Sequence, residues 1–101
     1  MPLFLELRDG HPSLDESSNV PGTLGPVIGP FLAVRILRDE VRVTTAEREF
    51  PLLKVADWVY YGGRWFSDIE IVPAEQMDPS RTRRRCKFEP EQTEPAEQIA
   101  A

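Results

Sequence analysis

Asp57, Asp68 and Glu70 are the residues whose types and spacing could do chemistry. If Gly62-Gly63 is a two-residue hairpin loop, Tyr60 opposes Trp65 and Asp57 opposes Asp68, with Glu70 further along the same face. Three oxygen donors on one strand face could take a hard cation, or crowd one another until one carboxyl holds its proton. The same residues also describe a solvated outer face whose charges pair with Arg35 and Arg42 of a neighbouring hairpin. Like charges directly opposed in a sheet are unfavourable, so a bulge could shift this register. The sequence leaves cation binding by this trio open and predicts no metal site and no cofactor.

Nucleophilic chemistry finds less support. His11 is the only histidine, in a Pro-rich stretch near Ser13, Ser17 and Ser18, with no G-x-S-x-G frame around any serine. Cys86 is the only cysteine, which excludes an intrachain disulfide, and no base is predicted beside it. One Cys and one His cannot supply a structural zinc site. Gly22, Gly25 and Gly29 are interrupted by prolines and lack the Lys-Ser/Thr of a phosphate loop. An enzyme is therefore the class with least support.

Two segments could instead bind a partner. The run from Trp58 to Phe66 surrounds Gly62-Gly63 with aromatics. Strand alternation divides it into a face with Trp58, Tyr60, Trp65, Ile69 and Ile71, predicted as core, and one with Val59, Tyr61, Arg64 and Phe66, predicted as outer. An apolar patch on an otherwise acidic outer face marks a partner site, so Val59, Tyr61, Arg64 and Phe66 are the predicted contact residues, supported by Leu24 and Val27. The second segment is basic: Arg81, Arg83, Arg84, Arg85 and Lys87 could contact nucleic acid or an acidic protein surface. The acidic stretch from Glu89 to Glu97 would partly cancel it.

The elements that must position these residues read as strands. Residues 3–8 alternate, placing Leu3, Leu5 and Leu7 on one face. Residues 10–30 carry His-Pro, Pro-Gly and two Gly-Pro pairs and read as a long loop. Residues 31–45 read as a hairpin in which Val34, Ile36, Val41 and Val43 share a face; a loop of Asp39-Glu40 alone would set Ile36 against Val43, although Asp-Glu suits a tight turn poorly. Ala46–Glu49 suggests one helical turn capped by Thr44 or Thr45, stopped by Pro51. From residue 76 the chain becomes polar and rich in Glu, Gln, Pro and Ala, and is predicted to be disordered.

The expected fold is all-β: a small, highly twisted sheet or partly open barrel of about five strands, SH3-like in size and strand density, with a long Pro/Gly loop and a disordered C-terminal tail. The expected domain covers residues 1–75, with its loop at 10–30, and the charged tail covers 76–101. The net charge is −5, and residues 1–79 carry seven basic and thirteen acidic side chains, a balance that repels nucleic-acid backbones and anionic lipid. The N-terminal residues lack the basic region and apolar run of a signal peptide, and no stretch is long enough to span a bilayer. A cytoplasmic protein is expected, and ten arginines against two lysines hint at a GC-rich bacterial genome.

The function expected from these features is a non-enzymatic protein-interaction module using an exposed aromatic patch and mobile loops, its partner another protein or a second copy. The alternatives are a nucleic-acid-associated protein acting through the Arg-rich tail, or an oligomeric structural or adaptor subunit of a phage or mobile element.

Overall fold

The computed structural model describes residues 2–9 and 23–94. Nine strands form: β1 (Leu3–Asp9), β2 (Thr23–Phe31), β3 (Ala33–Ile36), β4 (Glu40–Thr44), β5 (Glu49–Val55), β6 (Trp58–Tyr61), β7 (Arg64–Phe66), β8 (Asp68–Pro73) and β9 (Arg85–Lys87). One short helix, α1 (Pro79–Arg83), precedes β9. The all-β class agrees with the sequence, but nine strands replace the expected five. They build two sheets, β8-β1-β2-β9 and β3-β4-β5-β6-β7, neither closed into a barrel. The chain passes between them at two corners, Leu32 after β2 and Ser67 after β7.

One apolar core joins the sheets. Leu5, Leu7, Ile28 and Phe31 come from the first, and Val41, Val43, Leu52, Val59 and Phe66 from the second. Burying this area is the main favourable term for a domain of this size.

The hairpins follow their local chemistry. Gly62 (φ 65°) and Gly63 (φ 84°) both take positive φ, as a type I′ turn requires, and Tyr60 pairs with Trp65 as predicted. The β3–β4 hairpin has the predicted faces but a register two residues off, because the turn is centred on Arg38-Asp39, one residue earlier: the Leu37 N–H donates to the Glu40 carbonyl oxygen at 2.8 Å and Ile36 pairs with Val41. Residues 46–49 form no helical turn. The Thr45 hydroxyl accepts the backbone N–H groups of Glu47 and Arg48, both at 3.2 Å, and turns β4 directly into β5.

The predicted loop at 10–30 is overturned in its second half. Residues 23–31 are β2, paired with β1, and the two Gly-Pro pairs explain how. Leu5 pairs with Ile28 and Leu3 with Phe31, so Gly29-Pro30 together oppose Phe4; Gly25-Pro26 likewise oppose Leu7. Each pair absorbs the extra residue of a bulge. A Cβ on Gly25 would meet the Leu7 carbonyl oxygen at 2.6 Å, so these glycines serve close strand approach rather than flexibility. Residues 10–22, with His11 and the three serines, lie outside the described residues.

The predicted disorder from residue 76 is overturned for 76–94. Asp78 caps α1, its side chain accepting the Arg81 N–H at 2.8 Å. β9 then joins the first sheet parallel to β2. Phe88 is buried edge-on against Phe31 and Phe50, with ring centroids 5.1 and 5.4 Å away, and stacked on Tyr61. One aromatic and a few arginines anchor a segment whose average composition resembles a disordered tail. Phe88→Ala is expected to lower the unfolding free energy by about 3 kcal/mol in a urea titration; an unchanged midpoint would mean the segment does not hold the core.

Candidate functional site

The exposed aromatic surface lies on the opposite face of the hairpin from the one the alternation predicted. Val59, Tyr61 and Phe66 are core residues, at most 8% exposed, so the expected outer patch does not exist at these positions. Val27 is fully buried, in a second cluster with Phe4 and Val72. Leu24 is exposed, and Arg64 lies over the Phe66 ring at 4.7 Å with its guanidinium 3.8 Å from Asp9. The structure therefore does not gather Leu24, Val27, Val59, Tyr61, Arg64 and Phe66 into one surface.

The physical reason is the corner at Ser67. The alternation treated residues 64–72 as one strand, so Ile69 and Ile71 fixed the inner face and Trp65 followed. In the fold β7 ends at Phe66 and β8 belongs to the other sheet. The phase changes across the corner, so Phe66, Ile69 and Ile71 all contact the core.

What faces outward is Trp65 (40% exposed), Trp58 (39%) and half-buried Tyr60, whose ring meets Trp65 edge-to-face at 5.4 Å. Val55 pairs with Trp58 across β5–β6, and Leu53 stands two residues along on the same side. Leu53 and Val55 are both exposed, so five apolar or aromatic side chains share the outer face of β5, β6 and β7. The pattern of β5 was its only sequence signal: Phe50 and Leu52 claim the inner face, leaving Leu53 and Val55 outside.

The neighbouring outer face of β3–β4 is charged. Arg42 pairs with Glu40 and Glu49 rather than with Asp68 or Glu70. Hydrogen bonding to Glu40, then to Glu49, raises the Arg42 pKa further above its ordinary value.

The carboxylate trio is separated. Asp68 and Glu70 contact Arg8 at 3.6 and 2.9 Å, while Asp57 sits in the β5–β6 turn. Asp57 and Asp68 still border one pocket of about 250 Å³, together with Lys54. Among the described residues no three His, Cys, Asp or Glu side chains converge as metal ligands.

The basic segment divides. Glu6, 2% exposed on the outward side of β1, receives Arg84 at 2.8 Å and Arg81 at 3.2 Å. Arg81 also lies 3.5 Å from Glu70, and Arg84 donates to the Gly25 carbonyl oxygen at 2.8 Å. Arg81 and Arg84 are thus structural. Arg83, Arg85 and Lys87 are exposed, with no carboxylate partner among the described residues.

Tyr61 is the other perturbed group. Its hydroxyl accepts the Glu89 backbone N–H at 2.9 Å, and burial pushes its pKa above the ordinary 10.0. No helix among the described residues is long and apolar enough to cross a membrane. Comparison with protein-family models, curated proteins and solved structures finds no match to this chain.

Two outcomes follow. Glu6→Ala leaves two arginines facing an empty site and should cost about 3 kcal/mol in urea unfolding, with faster amide exchange over residues 79–87; a loss under about 0.5 kcal/mol would class the pair with surface ion pairs. The raised Tyr61 pKa means the native state holds its proton more tightly than the unfolded chain. Its contribution is full below about pH 10 and is lost as pH rises through the native value. Urea midpoints should fall in that alkaline window, and less steeply in Tyr61→Phe.

Proposed function

We propose that the chain is a non-enzymatic interaction module that docks a protein partner, or a second copy of itself, on the outer face of β5–β6–β7. The observation that carries this reading is the outer face that Val55, Trp58, Tyr60 and Trp65 share, with Leu53 at its margin. Both tryptophans of the chain lie in it, each about two-fifths exposed. Trp and Tyr combine large contact area with little side-chain entropy to lose, which is why they dominate interface energetics. The patch rests on a sheet and so is already organised before binding. The reading rests on the surface rather than on the expected SH3-like architecture, since one fold hosts many functions.

The nucleic-acid reading is weakened because two of its five cations are bound to Glu6. The oligomeric structural or adaptor subunit is the form this proposal takes if the occupant is a second copy.

A photo-reactive side chain at position 65, with one at exposed Arg35 as control, tests the proposal in an extract of the source cells. We expect a cross-linked product from position 65 whose yield falls several-fold in Trp58→Ser, while the unfolding midpoint moves little, as for exposed positions. The product's mass separates a second copy from another protein. Equal yields from both positions, or none, would overturn the assignment.

A further inference from the structure

We propose that the free edge of β9 accepts an acidic, extended peptide as an added strand, a second contact surface independent of the aromatic patch. β9 pairs with β2 on one side only. The Val27 N–H donates to the Arg84 carbonyl oxygen at 3.0 Å. Peptide groups alternate in direction along a strand, so the N–H and C=O of Arg85 and Lys87 point away from β2. Among the described residues no backbone group from another element pairs with that edge, and residues 85–87 are all exposed.

Charge says what fits there. The chain carries a net −5, yet Arg85 and Lys87 of this strand, and Arg83 just before it, have no carboxylate partner among the described residues. The Arg85 guanidinium lies over the Phe4 ring at 5.0 Å, reaching across β2 to β1, so an incoming strand would have to draw it outward while Lys87 carries no such contact. Arg85 and Lys87 alternate with Cys86 along the strand, and Cys86 and Lys87 both border a groove of about 370 Å³ floored by Pro26, Tyr61 and Phe66, with Arg64 and Glu89 at its sides. An incoming strand that alternates acidic and apolar residues would set carboxylates against Arg85 and Lys87 and an apolar side chain at the groove. Repulsion from the acidic remainder of the protein would direct such a strand to this edge. Nucleic acid fits less well: of the five cations in this segment, two are held by Glu6, which leaves a short run of charge for a phosphate backbone. An open row of peptide groups recognises another strand, not phosphates.

The test uses the full-length chain, labelled with nitrogen-15, and NMR titration with acetyl-Thr-Glu-Val-Glu-Val-Thr-amide. The comparison probes are its Lys-for-Glu analogue, the acidic peptide N-methylated at alternate amides in either phase, and a short oligothymidylate. We expect shifts centred on residues 85–87 with the acidic peptide, none with the Lys analogue, and loss of binding in one N-methylation phase. Arg85→Glu combined with Lys87→Glu should weaken binding about tenfold. Lys87→Glu alone, which leaves the contact with Phe4 in place, should weaken it by a smaller factor. Binding indifferent to N-methylation in both phases would overturn strand addition. So would shifts elsewhere, or tighter binding of the oligothymidylate, which would make the edge a phosphate contact. No binding of any probe would also overturn it, leaving β9 as a charged edge that discourages pairing.

Discussion

A single buried carboxylate organises much of this fold. Glu6 stands on the central strand β1, with Glu70 opposite it on β8 and Val27 opposite on β2. A carboxylate in that position cannot stay charged and dry unless cations reach it, and none of the three strands supplies one to it. Arg81 and Arg84 come from the segment that follows β8. Arg81 also lies between the two glutamates, relieving their repulsion, and Arg8 takes the far side of Glu70. The result is an alternating chain of charges from Asp68 to Arg84 across the outer face of the sheet. Its value lies less in net stabilisation than in the cost of leaving any member alone.

The C-terminal segment gains its structure from that demand. Once α1 is held over the sheet, Ala74 and Met77 pack on Phe4, Val27 and Val72, and the chain is aimed so that β9 runs beside β2. Phe88 then reaches the main core and stacks on Tyr61, whose hydroxyl accepts the Glu89 N–H. Apolar area is covered on both faces of the first sheet by one segment, residues 74–94. On the second sheet the same segment reaches only part of the way: Thr93 and Glu94 border Pro51 and Leu53, while the two tryptophans stand about two-fifths exposed.

The two surfaces open to partners differ in kind. The β5–β6–β7 face offers aromatic area on a rigid sheet, and its energetics would come from burial. The β9 edge offers unpaired peptide groups and positive charge, and its selectivity would come from backbone geometry and charge sign. The two lie on different sheets, so a partner could occupy either one alone.

What the sequence by itself determined was local. Positive φ at two consecutive residues is a property of Gly-Gly, and the β6–β7 hairpin follows from it with the predicted pairing of Tyr60 and Trp65. The alternation in residues 3–7 and 41–43 likewise grouped the side chains that share a face, and the fold turns Leu5, Leu7, Val41 and Val43 inward, because a strand's side-chain period does not depend on its neighbours. Tertiary structure decided everything that crosses between elements. The turn of the chain at Ser67 changed the phase between β7 and β8, which moved Tyr61 and Phe66 inward and the tryptophans outward. The bulges opposite Phe4 and Leu7 turned two Gly-Pro pairs from loop signals into parts of a strand. Ion pairing with Glu6, 75 residues distant from Arg81, ordered a segment whose composition reads as disordered. Composition and periodicity describe a residue's neighbours along the chain, whereas burial and charge pairing depend on neighbours in space.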